Sequence, residues 1–268
     1  MFDSRTSALA LPLAVAFDAG QLTSDGGLVW LARADDRLGL SAAFAAQIRD
    51  WRRGPVRHSL ALLLRQRILQ IACGYEDQDD ADTLRHDPLL KLVCGRRPHE
   101  PQADLASQPT LSRLENAADR RACYRLARTL VSIYLRERER VGGGVPTHLL
   151  LDLDSTADPT HGAQEGSSYH GYYREHMYHP LLVFDGETNQ LITAILRPGT
   201  VHASRGVVAI LKRLVAAIRT RWPHVAIALR ADSGFAIPAL YAYCEREGID
   251  YTIGLAPNSR LETLAAPL

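Results

Sequence analysis

Lysine is almost missing from this chain. Only Lys91 and Lys212 carry it, and every other member of the 31 basic residues is arginine. Arginine keeps its charge and offers a planar fork suited to phosphate, whereas lysine is the residue of Schiff-base and general-base chemistry. Cysteine is scarce as well. Cys73, Cys94, Cys123 and Cys244 form no short CxxC pair, which argues against a zinc site and a disulfide framework. Reduced, buried thiols in a cytoplasmic protein fit best. No apolar run approaches about 18 residues, so no membrane span or membrane partner is expected. The apolar tract Ala8–Phe17 has no basic leader and lies between Asp3 and Asp18. It reads as an early strand or extended segment, not a signal peptide. An excess of one charge is also lacking: 31 basic residues face 30 acidic ones, so no global field announces a partner.

What is present is an ordinary globular balance, 46% hydrophobic and 23% charged, which excludes collagen-like and mainly disordered chains. A length of 268 residues suggests about two domains. Residues 1–150 hold 21 basic and 18 acidic side chains; residues 151–268 hold 10 and 12. The first part is therefore the more basic.

Residues 24–140 read as helical. Thr23-Ser24-Asp25 caps a helix over Gly27–Arg37. Residues 57–73, with Leu60, Leu64, Ile68 and Ile71, are apolar enough for the centre of a bundle. The acids Glu76, Asp77, Asp79, Asp80 and Asp82 lack the glycine and terminal glutamate of a calcium loop and read as a solvated helix start. Residues 95–108 are proline-rich and predict a loop. The stretch Thr110–Glu115 looks like a short recognition helix. One long helix follows over Asp119–Arg140, where Arg121, Arg125 and Arg128 share a face. That face either tracks a DNA phosphate backbone or is simply solvated. Gly142-Gly143-Gly144 then breaks the pattern. It divides a mainly helical region (1–144), the candidate for DNA binding, from a second domain (145–268).

In the second domain the period changes to that of strands. His148–Leu153, Tyr178–Phe184 and Leu191–Leu196 predict three strands, the last two joined by the turn Asp185–Asn189. A helix after Ser204, a strand over Val225–Ala231, a helix from Pro238 to Glu247 and a strand over Tyr251–Leu255 complete the order β-β-β-α-β-α-β. A meander followed by βαβ crossovers is an α+β or α/β mixed sheet flanked by helices.

Two of these strands end in carboxylates: Leu149-Leu-Leu-Asp152-Leu-Asp154-Ser-Thr156, and Ile227-Ala-Leu-Arg-Ala-Asp232-Ser-Gly234. The carboxyl ends of buried strands are where open α/β sheets build their sites. If the strands are neighbours, the acids share one crevice, and a divalent cation relieves their repulsion. Oxygen ligands suit magnesium or manganese, and a pair of ions can act on a phosphodiester. Asp154, lying furthest out, is the expected ligand together with Asp232. Asp152 is then an outer partner of the metal site or a satisfied polar residue. The segment His161–His179 holds four tyrosines and four histidines. Tyr172, Tyr173 and Arg174 suit stacking and phosphate contact on DNA, or the segment is a loop packed on the sheet.

Several tracts together resemble a known family: Leu151-Asp-Leu-Asp-Ser-Thr156, Gln164-Glu-Gly-Ser-Ser-Tyr-His-Gly-Tyr-Tyr173, Pro180-Leu-Leu-Val-Phe184, Leu196-Arg-Pro-Gly199 with His202-Ala-Ser204, and Leu229-Arg-Ala-Asp-Ser-Gly-Phe235. They resemble the DDE transposase domain, group 1 type, of bacterial insertion sequences. Leu22–Gly27 and Gln108–Asn116 look like that family's N-terminal region. The resemblance implies a ribonuclease-H-like fold, DNA as partner, a homodimer, and two magnesium or manganese ions in the complete enzyme. It assigns Asp154 and Asp232 as the first two acids of a metal triad. The family's third acid, a glutamate, has no match before Leu268, since Glu262 sits in a different context. The chain therefore reads as a copy with the C-terminal part missing. Two other readings stand beside this one. The chain is a transposase-derived DNA-binding protein without chemistry, or Asp152-Leu-Asp154-Ser-Thr156 serves a haloacid-dehalogenase-type phosphatase with Asp152 as nucleophile and Asp154 as acid/base.

Overall fold

The structure is a computed structural model that describes residues 22–162 and 164–265. The tract Ala8–Phe17, expected to be an early strand, lies outside the described residues. The chain forms two compact units, one through Leu126 and the other from Ala127.

The first unit is helical: α1 (Leu28–Leu38), α2 (Leu40–Ala45), α3 (Leu60–Ala72), α4 (Ala81–Leu84), α5 (Pro88–Val93), α6 (Gln108–Asn116) and the start of α7 (Arg120–Gly142). Local chemistry sets the starts. The Ser59 hydroxyl accepts from the Leu62 amide at α3, and Asp87 accepts from the Leu90 amide at α5, where Pro88 fills the first helical position. Helix α3 supplies both small cores. Leu69 packs with Leu28, Ala32, Leu90, Val93 and Leu105. Leu63 packs with Ala81, Ala106, Leu111 and Leu114. Buried Gln66 ties its amide to both backbone groups of Ala106, each at 2.9 Å, so the loop before α6 is satisfied inside the unit. The helices expected over 27–37, 57–73, 110–115 and 119–140 are present. Short α2 and α5 were not foreseen, and the acidic run contributes only α4. The compact division falls inside α7. The triglycine instead ends that helix, Gly143 at φ 73° and Gly144 donating to the Glu139 carbonyl at 2.9 Å.

The second unit holds β1 (His148–Ser155), β2 (Asp158–Pro159), β3 (Ser168–His170), β4 (Glu175–Tyr178), β5 (Leu181–Asp185), β6 (Gln190–Ile195), α8 (Val207–Arg221), β7 (Ala226–Ala231), α9 (Pro238–Glu247), β8 (Asp250–Ile253) and α10 (Ser259–Ala265). The main sheet runs β6-β5-β1-β7-β8. Strands β6, β5 and β1 are antiparallel neighbours, and β1, β7 and β8 are parallel. This is the mixed order that the meander and crossovers predict. The antiparallel partner of β1 departs from the parallel sheet that the phosphatase reading requires.

The segment expected as a loop over 161–179 carries two short strands, β3 and β4. Strands β2, β4 and β3 make a second, three-stranded antiparallel sheet. The strand expected over 178–184 is split, because Pro180 has no amide to donate between β4 and β5. Alternation decides the two faces of the main sheet. Leu149, Leu151, Leu153, Leu181, Val183, Ile227 and Leu229 are buried against Val131, Tyr134 and Leu135 of α7 and against α8 and α9. Leu150, Asp152, Asp154, Ala228 and Arg230 lie on the opposite, more open face. Among the described residues, no helix is long and apolar enough to cross a membrane.

Candidate active site

Parallel register fixes the relation between the two strand-end acids. Asp152 pairs with Arg230 and Leu153 with Ala231. The register ends there: Asp154 follows Leu153 in β1, and Asp232 follows Ala231 just past the end of β7, so the two acids come next on neighbouring strand ends. Period two places Asp154 on the open face, and both acids are exposed. Each is held locally. Asp154 Oδ1 accepts from the Ser155 amide at 2.7 Å, and Asp232 Oδ1 accepts from the Gly234 amide at 2.8 Å. Among the described residues, neither carboxylate meets a basic side chain.

Asp152 differs. Arg230 Nε donates to its Oδ1 at 3.0 Å and Nη2 to its Oδ2 at 2.5 Å. This bidentate bond holds the Arg230 guanidinium above its usual pKa. Asp152 is a satisfied ion-pair partner and is not the free carboxylate a phosphoryl nucleophile needs.

The same end of the sheet gathers several connections. Ser155 lies opposite Leu181, and Leu181 opposite Ile195. The small sheet (156–180) and the segment after β6 (196–205) therefore both leave from the edge where Asp154 and Asp232 sit. The tip of the β3–β4 hairpin presents Tyr172, Tyr173 and Arg174, all exposed. The Tyr172 and Tyr173 rings meet edge to face at 5.1 Å, and Tyr173 meets His170 at 5.0 Å. Arg174 adopts φ 60° while its amide donates to the His170 carbonyl at 2.7 Å.

Arg197 was not singled out by sequence reasoning. It is buried, donating from Nε to the His179 carbonyl at 2.9 Å and from Nη1 to the Ala203 and Arg205 carbonyls at 2.7 and 3.2 Å. Its Nη2 is buried with no partner. Burial without a carboxylate pushes its pKa down to about 10. The backbone returns the contact, the His179 amide donating to the Arg197 carbonyl at 3.0 Å. This lock fixes the 202–205 turn, and a side chain on Gly234 would meet Ala203 Cβ at 3.1 Å. Gly199 lies so close to the Met177 and Ser168 carbonyls that no Cβ fits. The only sequence signal for Arg197 was its place in the tract Leu196-Arg-Pro-Gly199, because nothing in a sequence marks an arginine as buried.

On α7, Arg121 and Arg128 are exposed, whereas Arg125 is half-buried and donates from Nε to the Gln47 carbonyl at 2.8 Å. The expected three-arginine stripe thus has two outward members.

The family profile described as transposase DDE domain group 1 matches residues 7–268. The chain belongs to this transposase family. Two solved structures show weak likeness to the DDE chain. A cryo-EM structure of the piggyBac transposase synaptic complex with hairpin DNA is 13% identical, with TM-score 0.34, covering 85% of this chain and 43% of that one. A crystal structure of a pre-cleavage Mos1 transpososome is 14% identical, with TM-score 0.26, covering 94% and 73%. The DDE chain thus spans less than half of the piggyBac chain. No curated protein matches it.

DDE domains of this kind use divalent metal ions. The donor set here suits a hard cation. Asp154 and Asp232 offer carboxylate oxygens, each with one oxygen engaged by a backbone amide and the other without a protein partner among the described residues. Among the described residues, no group of three His, Cys, Asp or Glu gathers to hold a metal.

Proposed function

We propose that the chain performs the DNA strand cleavage and transfer of a bacterial insertion-sequence transposase, with Asp154 and Asp232 as its acidic pair. One observation carries this reading: two exposed carboxylates without a basic partner among the described residues follow the last paired residues, Leu153 and Ala231, of the parallel strands β1 and β7. Membership of the DDE transposase family supports it.

Asp154 and Asp232 would hold magnesium or manganese, which supplies polarisation of a phosphodiester oxygen when bound. The protein's own groups position the substrate. Tyr172 and Tyr173 offer faces on which bases stack, and Arg174 pairs with phosphate. Arg121 and Arg128 follow the backbone of the duplex through charge. The backbone amides of Ser155 and Gly234 restrict the two carboxylates to one rotamer each, so the pair needs little reordering when a cation arrives.

A second reading is favoured by the lack, among the described residues, of any third acid gathered with the pair. In that reading the chain binds DNA without cutting it. The full chain, tested on supercoiled plasmid with magnesium or manganese, separates the two. Metal-dependent nicking lost in both Asp154→Asn and Asp232→Asn supports cleavage by this pair. Nicking that survives both substitutions overturns the assignment. DNA binding with no nicking selects the second reading.

A further inference from the structure

We propose that Arg57 and Arg96, within a cluster of four arginines around His58, form a contact surface for the phosphate backbone of duplex DNA on the first unit. The inference rests on the reading that this chain binds DNA, and it names a surface other than the α7 face and the β3–β4 hairpin.

The cluster is built on the connection between α2 and α3. Arg52 binds Asp50 through Nε and Nη2, both at 2.8 Å, and donates from Nη1 to the His58 carbonyl at 2.6 Å. Its charge is therefore met, and its third contact pins the segment. Arg57 donates from Nη2 to the Gln102 carbonyl at 2.8 Å, and Arg96 from Nη2 to the Arg57 carbonyl at 2.9 Å. Each of these two guanidiniums is thus fixed by one neutral acceptor. Among the described residues neither meets a carboxylate, which leaves most of its five N–H donors uncommitted. Arg85 reaches Asp104 only at 3.6 Å, and Asp104 is shared with His86 and Lys91.

Arg85 Nε and His58 Nδ1 are both buried without a hydrogen-bond partner. His58 is only 7% exposed. Its burial, and then the charges of Arg96, Arg57, Arg52 and Arg85, push its pKa down to about 4. The imidazole is neutral at pH 7 and adds nothing to the repulsion. Four guanidiniums gathered this way repel one another, with Asp50 matching Arg52 and Asp104 divided among three. A polyanion relieves that excess. Guanidiniums already fixed by carbonyl contacts lose little freedom on accepting phosphate oxygens, and the fork geometry suits them.

The test uses the full chain and a short fluorescent duplex of arbitrary sequence, with anisotropy read across a salt series. In Arg57→Ala/Arg96→Ala, the slope of log affinity against log salt should fall in magnitude by about 1.8, the value for two lost phosphate contacts. The Arg57→Lys/Arg96→Lys pair keeps the charge and should retain the slope. A double alanine variant with the unaltered slope overturns the inference while leaving DNA binding intact. An unaltered chain that binds no duplex overturns both the inference and the DNA-binding reading. In case the alanine variant does not fold, phenylglyoxal labelling of the unaltered protein reads the same surface. Bound duplex should slow modification of Arg57 and Arg96 several-fold, and equal labelling with and without duplex overturns the proposal.

Discussion

Asp152 and Arg230 face each other across the parallel pair β1–β7 and close a two-point ion pair two residues before Asp154 and Asp232. Strand alternation puts Asp152, Asp154 and Arg230 on the same open face, and Asp232 follows at the end of β7. The arginine engages the inner acid and leaves the outer two without a cation. In the proposed site, that asymmetry leaves Asp154 and Asp232, not Asp152, to meet a metal.

The first prediction follows from it. Asp154→Asn and Asp232→Asn should each weaken manganese binding by more than about 100-fold, beyond the usual cost of losing an outer partner. Asp152→Asn should weaken it by less than about tenfold. Calorimetric titration of manganese into the full chain and the three variants makes the comparison. Equal losses at all three positions would return Asp152 to the ligand set.

Arg197 leads to the second prediction. Its guanidinium satisfies the carbonyls of His179, Ala203 and Arg205 from a buried position. Removing it strands acceptors that cost about 1–3 kcal/mol each when left unsatisfied. Because the substitution also relieves the cost of burying a guanidinium with an unpartnered Nη2, Arg197→Ala should lower unfolding stability by roughly 2–4 kcal/mol in a urea titration, less than the three acceptors alone would give. A loss under about 0.5 kcal/mol, the level of an ordinary surface substitution, would show that water replaces it.

The positions of these residues were unequally legible in the sequence. Strand β7 could be delimited because Ala226–Ala231 alternates and stops at Asp232. The sequence left it conditional whether the two acid-ending strands are neighbours, and the parallel pairing of β1 with β7 supplies that relation. The small sheet escaped notice because β2 and β3 are two and three residues long, too short for any period to register. Short α2 and α5 were hidden for the same reason. The Arg125 contact with Gln47, 78 residues away in the chain, and the burial of Arg197 are tertiary facts. Helical spacing shows which side chains share a face, but not which of them finds a carbonyl there.

Glu139 gives the third prediction. Arg221 donates to both of its carboxylate oxygens, and the indole of buried Trp222 donates at 2.7 Å. These bonds lower its pKa from 4.5 to about 2. A depressed acid stabilises the fold above its unfolded value and loses that contribution as pH falls through the folded one. Acidification from pH 4.5 towards 2 should therefore lower the melting temperature and alter Trp222 fluorescence. Glu139→Gln should remove the fluorescence step in that window. A step that persists in the variant would assign it to another carboxylate.

His58 gives the fourth. In the free chain its pKa is about 4, against 6.5 when unfolded, through burial and the charges of Arg96, Arg57, Arg52 and Arg85. Asp50 and Asp104 lie on the partners of that ring of charge, and His86 shares Asp104. For a histidine lowered in the fold, the unfolded chain binds the proton more readily. Stability is then complete above pH 6.5 and falls as pH drops towards 4. His58→Gln should flatten the urea midpoint across that interval. Duplex DNA adds a second, opposite expectation. Phosphates seated on Arg57 and Arg96 offset the positive potential at the imidazole, so its pKa should climb back towards 6.5, and binding should take up protons below neutral pH. Proton NMR of the His58 ring, titrated with and without duplex, measures the shift directly. An unchanged midpoint in the bound state would mean that the phosphates sit elsewhere on the protein.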